Sequence, residues 1–239
     1  MRTTFLHILA LKAIRPVFFT LLTIFIVAMK KPTDKGYNYL ALGDSYTIGE
    51  QVEARDNFPN QLRMLLEKKG IVIDPPQIIA QTGWTTDELQ SAVNTARYAT
   101  RYDLVTLLIG VNNQYRGRKA EDYAPEFERL LKNAIGFAGD DPNHVIVLSI
   151  PDWGVTPFAE GRDRQKIAGE IDEYNSINEE IAKKYGIHYI NITESTRAAT
   201  GDPSLLAADG LHPSGKEYAK WAGLASEWVA SVFKNSPDK

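Results

Sequence analysis

The chain has 239 residues, of which 44% are hydrophobic and 24% charged, enough for one domain with a substantial core and too apolar for a disordered chain. A net charge of −3 and scattered Lys and Arg residues leave no basic stripe for nucleic acid. The chain has no cysteine, which excludes disulfides, thiolate metal sites and a cysteine nucleophile.

In chain order, the first feature is the apolar run VFFTLLTIFIVAM at 17–29, preceded by Arg2, Lys12 and Arg15 and closed by Lys30 and Lys31. Its length suits a signal segment better than a full membrane span. No small-residue cleavage site follows it, so an uncleaved membrane anchor is the alternative, and a buried N-terminal helix is the structural one. Residues 1–36, ending in the polar linker KKPTDKG, are read as a targeting or anchoring segment, and 37–239 as the folded domain of an exported or anchored protein.

From there the pattern alternates. Short apolar runs at 39–42, 77–80, 104–109, 145–150 and 188–192 read as buried strands. Helical spacing marks 58–69, with Pro59 in its first turn, then 86–98, 121–137, 164–185 and 213–233. Strands alternating with helices predict a three-layer α/β/α sandwich around a mainly parallel five-stranded sheet. Several strands run into polar segments: Gly43-Asp44-Ser45, Thr82-Gly83, Gly110-Val111-Asn112 and Pro151-Asp152-Trp153. In such sheets ligands bind where the carboxyl ends of the strands gather.

Ser45, directly after the first strand, is placed at that edge, although Gly, Asp and Ser together also make an ordinary turn. A serine nucleophile needs a base. Of four histidines, His7 lies in the N-terminal segment, and His144 and His188 sit at strand starts, the wrong end of the sheet. His212 lies in Asp209-Gly210-Leu211-His212-Pro213, where Asp209 can turn back to accept from the imidazole Nδ1–H and leave Nε2 for the serine proton. Asp209 as a plain turn former is the alternative. GLHPSGK at 210–216 resembles part of a phosphate-binding loop, but Glu217 stands where Ser or Thr is required and Pro213 lacks an N–H.

These segments resemble the SGNH, or GDSL-type, hydrolase family. LALGDSYT at 40–47 is similar to its nucleophile block and DGLHPSG at 209–215 to its terminal block. Gln81-Thr82-Gly83-Trp84 and Gly110-Val111-Asn112-Asn113 resemble the two blocks between. The resemblance implies a flavodoxin-like fold, Ser45, Asp209 and His212 as catalytic residues, and an oxyanion hole from the Ser45 and Gly83 N–H groups and the Asn112 amide. Asn113 departs from the family's Asp. No G-x-S-x-G surrounds Ser45, so the nucleophile elbow of the α/β-hydrolases is the wrong template.

The aromatics Trp84, Tyr115, Trp153 and Phe158 either line a substrate pocket or pack under loops; Trp84, Tyr115 and Trp153 are taken as substrate-binding. The run Gln114-Tyr115-Arg116-Gly117-Arg118 offers cations to a polar or anionic substrate, with a solvated loop as the plainer reading. The implied activity is hydrolysis of a small acyl ester, an acylated carbohydrate or a lysophospholipid, with no metal and no cofactor. Acyl transfer to a sugar hydroxyl at the same site, or a non-catalytic binding module, are the alternatives.

Overall fold

The computed structural model describes residues 36–99 and 101–235. The apolar run at 17–29, and with it residues 1–35 of the expected targeting or anchoring segment, lies outside the described residues. Among the described residues no helix is long and apolar enough to cross a membrane.

Five parallel strands, β1 (Tyr39–Asp44), β2 (Gln77–Gln81), β3 (Leu104–Leu108), β4 (Val145–Leu148) and β5 (His188–Ile190), form one sheet in the order β2-β1-β3-β4-β5. All residues of β1, β3 and β4 are buried, as expected for strands covered on both faces.

Between strands run α1 (Ser45–Ile48), α2 (Phe58–Lys68), α3 (Thr86–Thr95), α4 (Val111–Tyr115), α5 (Ala120–Phe137), α6 (Arg164–Lys184), α7 (Thr193–Arg197) and α8 (Gly215–Asn235). Helix α2 packs on α8, and α5 packs on α3 and α6. Right-handed crossovers place those two groups on opposite faces of the sheet. The helix starts follow from their caps. Asn57 accepts from Asn60 N–H at α2, Asp163 accepts from Lys166 N–H at α6, and Thr85 with Glu88 forms a capping box at α3.

The strand order fixes where a ligand can bind. The chain leaves β1 toward β2 on one side and returns to β3 on the other, which makes the β1/β3 edge the topological switch point. Ser45 follows β1, and Val111–Tyr115 follows β3 after one turn residue pair. Gly43 makes this closeness possible: a Cβ there would lie 2.1 Å from Thr47 Oγ1 and 2.4 Å from the Leu108 carbonyl oxygen.

Candidate active site

Asp44 ends β1 and caps α1, its carboxylate accepting from Tyr46 N–H at 3.0 Å. Ser45 thus becomes the first residue of a helical turn, only 3% exposed.

His212 reaches it from the far end of the chain, its Nε2 3.0 Å from Ser45 Oγ. The loop that carries His212 is clipped in place. Ala207 N–H donates to the His212 carbonyl, Ser214 N–H to the Leu205 carbonyl, and Leu206 pairs with Pro213 in an antiparallel bridge. Asp209 Oδ1 accepts from the N–H groups of Leu211 and His212, both at 3.0 Å, and Oδ2 lies 2.6 Å from His212 Nδ1. Partial burial disfavours the Asp209 charge, but these three hydrogen bonds outweigh it and hold the carboxyl below its ordinary value. An ionised carboxylate only accepts. In the neutral imidazole the proton therefore sits on His212 Nδ1, which leaves Nε2 to accept from the Ser45 hydroxyl. The Tyr46 ring, 5.1 Å from the imidazole, packs beside it.

Ser45, His212, Tyr46, Val111, Asn112, Tyr115, Trp153, Phe158 and Leu211 line one cleft of about 130 Å³. Of the aromatics singled out in the sequence, Tyr115, Trp153 and Phe158 meet here. The Trp84 side chain packs against the core instead, and only its carbonyl joins the site. Asn112 is at the cleft, but its amide Nδ2 donates inward, to the Trp84 carbonyl at 3.1 Å and to Asp44 Oδ2 at 3.3 Å. Gly83 occupies the turn after β2 with φ of +86°, a conformation that glycine adopts without cost. The other described histidines are elsewhere: His144 bonds the Asp103 carbonyl, and His188 stacks on Trp228 at 4.0 Å.

The profile of the GDSL-like lipase/acylhydrolase family matches residues 41–220. The chain belongs to this family. Ester hydrolysis is the activity that goes with it. No match was found among the curated proteins. Solved structures share the fold. An acetylxylan esterase from Geobacillus stearothermophilus is 17% identical with a TM-score of 0.64, over 82% of this chain and 94% of that one. A lipase/acylhydrolase from Enterococcus faecalis is 20% identical with a TM-score of 0.63, over 85% and 99%. The psychrotrophic esterase EstA from Pseudoalteromonas sp. is 16% identical with a TM-score of 0.60, over 83% and 100%.

The departure from the family pattern at Asn113 has a local reason. Its side chain is fully buried; Oδ1 accepts from Thr86 N–H at 3.1 Å and Nδ2 donates to Thr86 Oγ1 at 2.6 Å. The Thr86 hydroxyl donates its own proton to Glu126, so residue 113 must supply a donor as well as an acceptor. An amide does both, whereas an ionised carboxylate cannot.

The cations at 114–118 in this GDSL-type chain are already engaged. Arg116 holds the Gly83 carbonyl at 2.7 Å and pairs with Glu88, and Arg118 pairs with Asp87 and Glu126. Buried Gln114 accepts from Trp153 Nε1 at 2.7 Å and donates to Glu170 at 2.7 Å, which fixes the Trp153 ring in the cleft wall. Sequence reasoning missed Asp44, whose carboxyl is buried behind Ser45. Burial raises it from 3.8 to about 7 against the hydrogen bonds from Tyr46 N–H and Asn112. Its turn-forming character in Gly-Asp-Ser hid this second use.

Proposed function

We propose that the protein hydrolyses a carboxylic ester through an acyl-enzyme on Ser45. The observation that carries this reading is the unbroken chain from Ser45 Oγ through His212 to Asp209, with bonds of 3.0 and 2.6 Å. Ser45 Oγ attacks the ester carbonyl as its proton passes to His212 Nε2. Asp209 keeps the imidazole in the required tautomer and stabilises the imidazolium. The developing oxyanion is met by the N–H groups of Ser45 and Gly83 and by the Asn112 amide. Collapse expels the alcohol, which takes the proton from His212, and water repeats the sequence to release the acid.

The small, open cleft lined by four aromatic side chains favours a short acyl ester or an acylated carbohydrate over a long-chain lysophospholipid. Export or anchoring through the run at 17–29 belongs to the same proposal. The test is a panel of short- and long-chain esters, acetylated sugars and lysophospholipids, with products analysed with and without a sugar acceptor. Free acid released from short acyl or acetyl esters, independent of acceptor, is expected. Acylated acceptor in place of acid makes the protein a transferase, and no turnover of any ester contradicts the proposal.

A further inference from the structure

Outside the serine cluster, the rim of the cleft carries a second constellation. The rings of Tyr115, Trp153 and Phe158 contact one another, with centroids 5.3 to 6.1 Å apart. The guanidinium of Arg162 lies over all three, at 5.2 Å from Tyr115, 5.4 Å from Trp153 and 6.0 Å from Phe158. These same rings line the cleft that holds Ser45 and His212. Arg162 differs from Arg116 and Arg118: among the described residues it makes no ion pair, and its side-chain hydrogen bond is a long one to Tyr115 Oη, 3.3 Å.

Its position is nevertheless set. Arg162 N–H bonds the Ala159 carbonyl, and Phe158 N–H bonds the Gly210 carbonyl in the loop that carries His212. Nearby, Arg164 ties down the Gly154 and Thr156 carbonyls at 2.6 and 3.1 Å. The segment from Trp153 to Arg162 is thus held against the catalytic loop at several points.

A guanidinium held over aromatic rings still presents its planar fork of N–H donors. That fork matches the two oxygens of a carboxylate or of a phosphate. Resting on the reading of Ser45 as an ester-cleaving nucleophile, we infer that Arg162, on its aromatic platform, selects ester substrates that carry an oxyanionic substituent, carboxylate or phosphate. The ester carbonyl sits at Ser45 while the anion reaches the rim. Arg162 is a specificity residue: it makes no contact with the reacting atoms.

The test uses matched esters that differ in charge: 4-acetoxybenzoate against 4-acetoxybenzamide with the anion on the leaving group, 4-nitrophenyl hemiglutarate against 4-nitrophenyl pentanoate with it on the acyl group, and 4-acetoxyphenyl phosphate for the phosphate source. For wild type, kcat/KM should favour at least one anionic ester over its neutral mate by about tenfold, the scale of a charge-assisted hydrogen bond at an exposed site. The preference should shrink as salt rises. Arg162→Gln should abolish the preference, mainly through KM, and Arg162→Lys should restore part of it.

Calorimetric binding of the same esters to Ser45→Ala, with and without Arg162→Gln, reads recognition without turnover. Tighter binding of the anionic ester that Arg162→Gln weakens about tenfold supports the inference even if Ser45 proves not to be the nucleophile. Equal handling of anionic and neutral esters by wild type, or a preference that survives Arg162→Gln, overturns it.

Discussion

The two halves of the site are built differently. On the proton-transfer side, each polar atom already faces its partner: Asp209 to His212 at 2.6 Å and His212 to Ser45 at 3.0 Å, within a loop clipped by backbone bonds. On the oxyanion side, the Asn112 amide is committed to Asp44 and the Trp84 carbonyl at 3.3 and 3.1 Å. In the proposed reaction the nucleophile is assembled in advance, whereas Asn112 has to release one inward bond to meet the oxyanion. The longer bond, to Asp44, is the one that yields at least cost.

Asp209→Asn breaks the assembled half. The Asn amide would face Nδ1 and favour the wrong tautomer, so kcat should fall by about 10³ to 10⁴ with little change in fold. Steady-state kinetics on 4-nitrophenyl acetate alongside circular dichroism measure both. A loss below tenfold would mean that Asp209 is only a turn former.

Asn112→Ala breaks the other half. It removes one oxyanion donor and should cost about 10² to 10³ in kcat with KM nearly unchanged. An unchanged kcat would show that the amide stays committed to Asp44 and Trp84 throughout the reaction.

Asp44→Asn sharpens the comparison through pH. Burial raises the Asp44 carboxyl to about 7, above its unfolded value, so the folded state binds its proton more tightly. The stability this supplies is complete below about pH 4 and is lost as pH rises through 7. The shift of about three pH units corresponds to at most about 4 kcal/mol. Urea unfolding at pH 5 and pH 8 should show wild type losing stability across this window and Asp44→Asn losing less. Parallel behaviour would mean that Asp44 stays ionised throughout.

Much of this was legible in the sequence because parallel strands announce themselves as apolar runs and deliver their next residues to one edge. The apolar runs at 104–109, 145–150 and 188–192 extend one or two residues past their strands, because Ile109, Ile150 and Ile192 are fully buried without pairing on the sheet. Spacing and strand-end placement single out Ser45, His212 and Asp209, and the fold brings the three side chains into hydrogen-bond contact. The rim is not legible in this way. Trp84 and Trp153 have similar loop settings in sequence, and only packing puts the Trp153 ring in the cleft wall and leaves the Trp84 ring out of it. Arg116 and Arg118 lie beside the Asn112 block but are spent on carboxylates, whereas Arg162, about fifty residues from Asn112 along the chain, reaches the rim through folding alone. Asn113 reads as a departure until Thr86 and Glu126 are brought beside it.

The central claim, that Ser45 is an activated nucleophile, is tested most directly by an alkyl fluorophosphonate, which needs a hydroxyl with an adjacent base and no knowledge of the natural ester. Intact-mass and peptide analysis should show one adduct per chain, on the peptide containing Ser45, absent from Ser45→Ala and formed much more slowly in His212→Ala. An adduct on another serine, or a folded protein that takes up no probe, would contradict it.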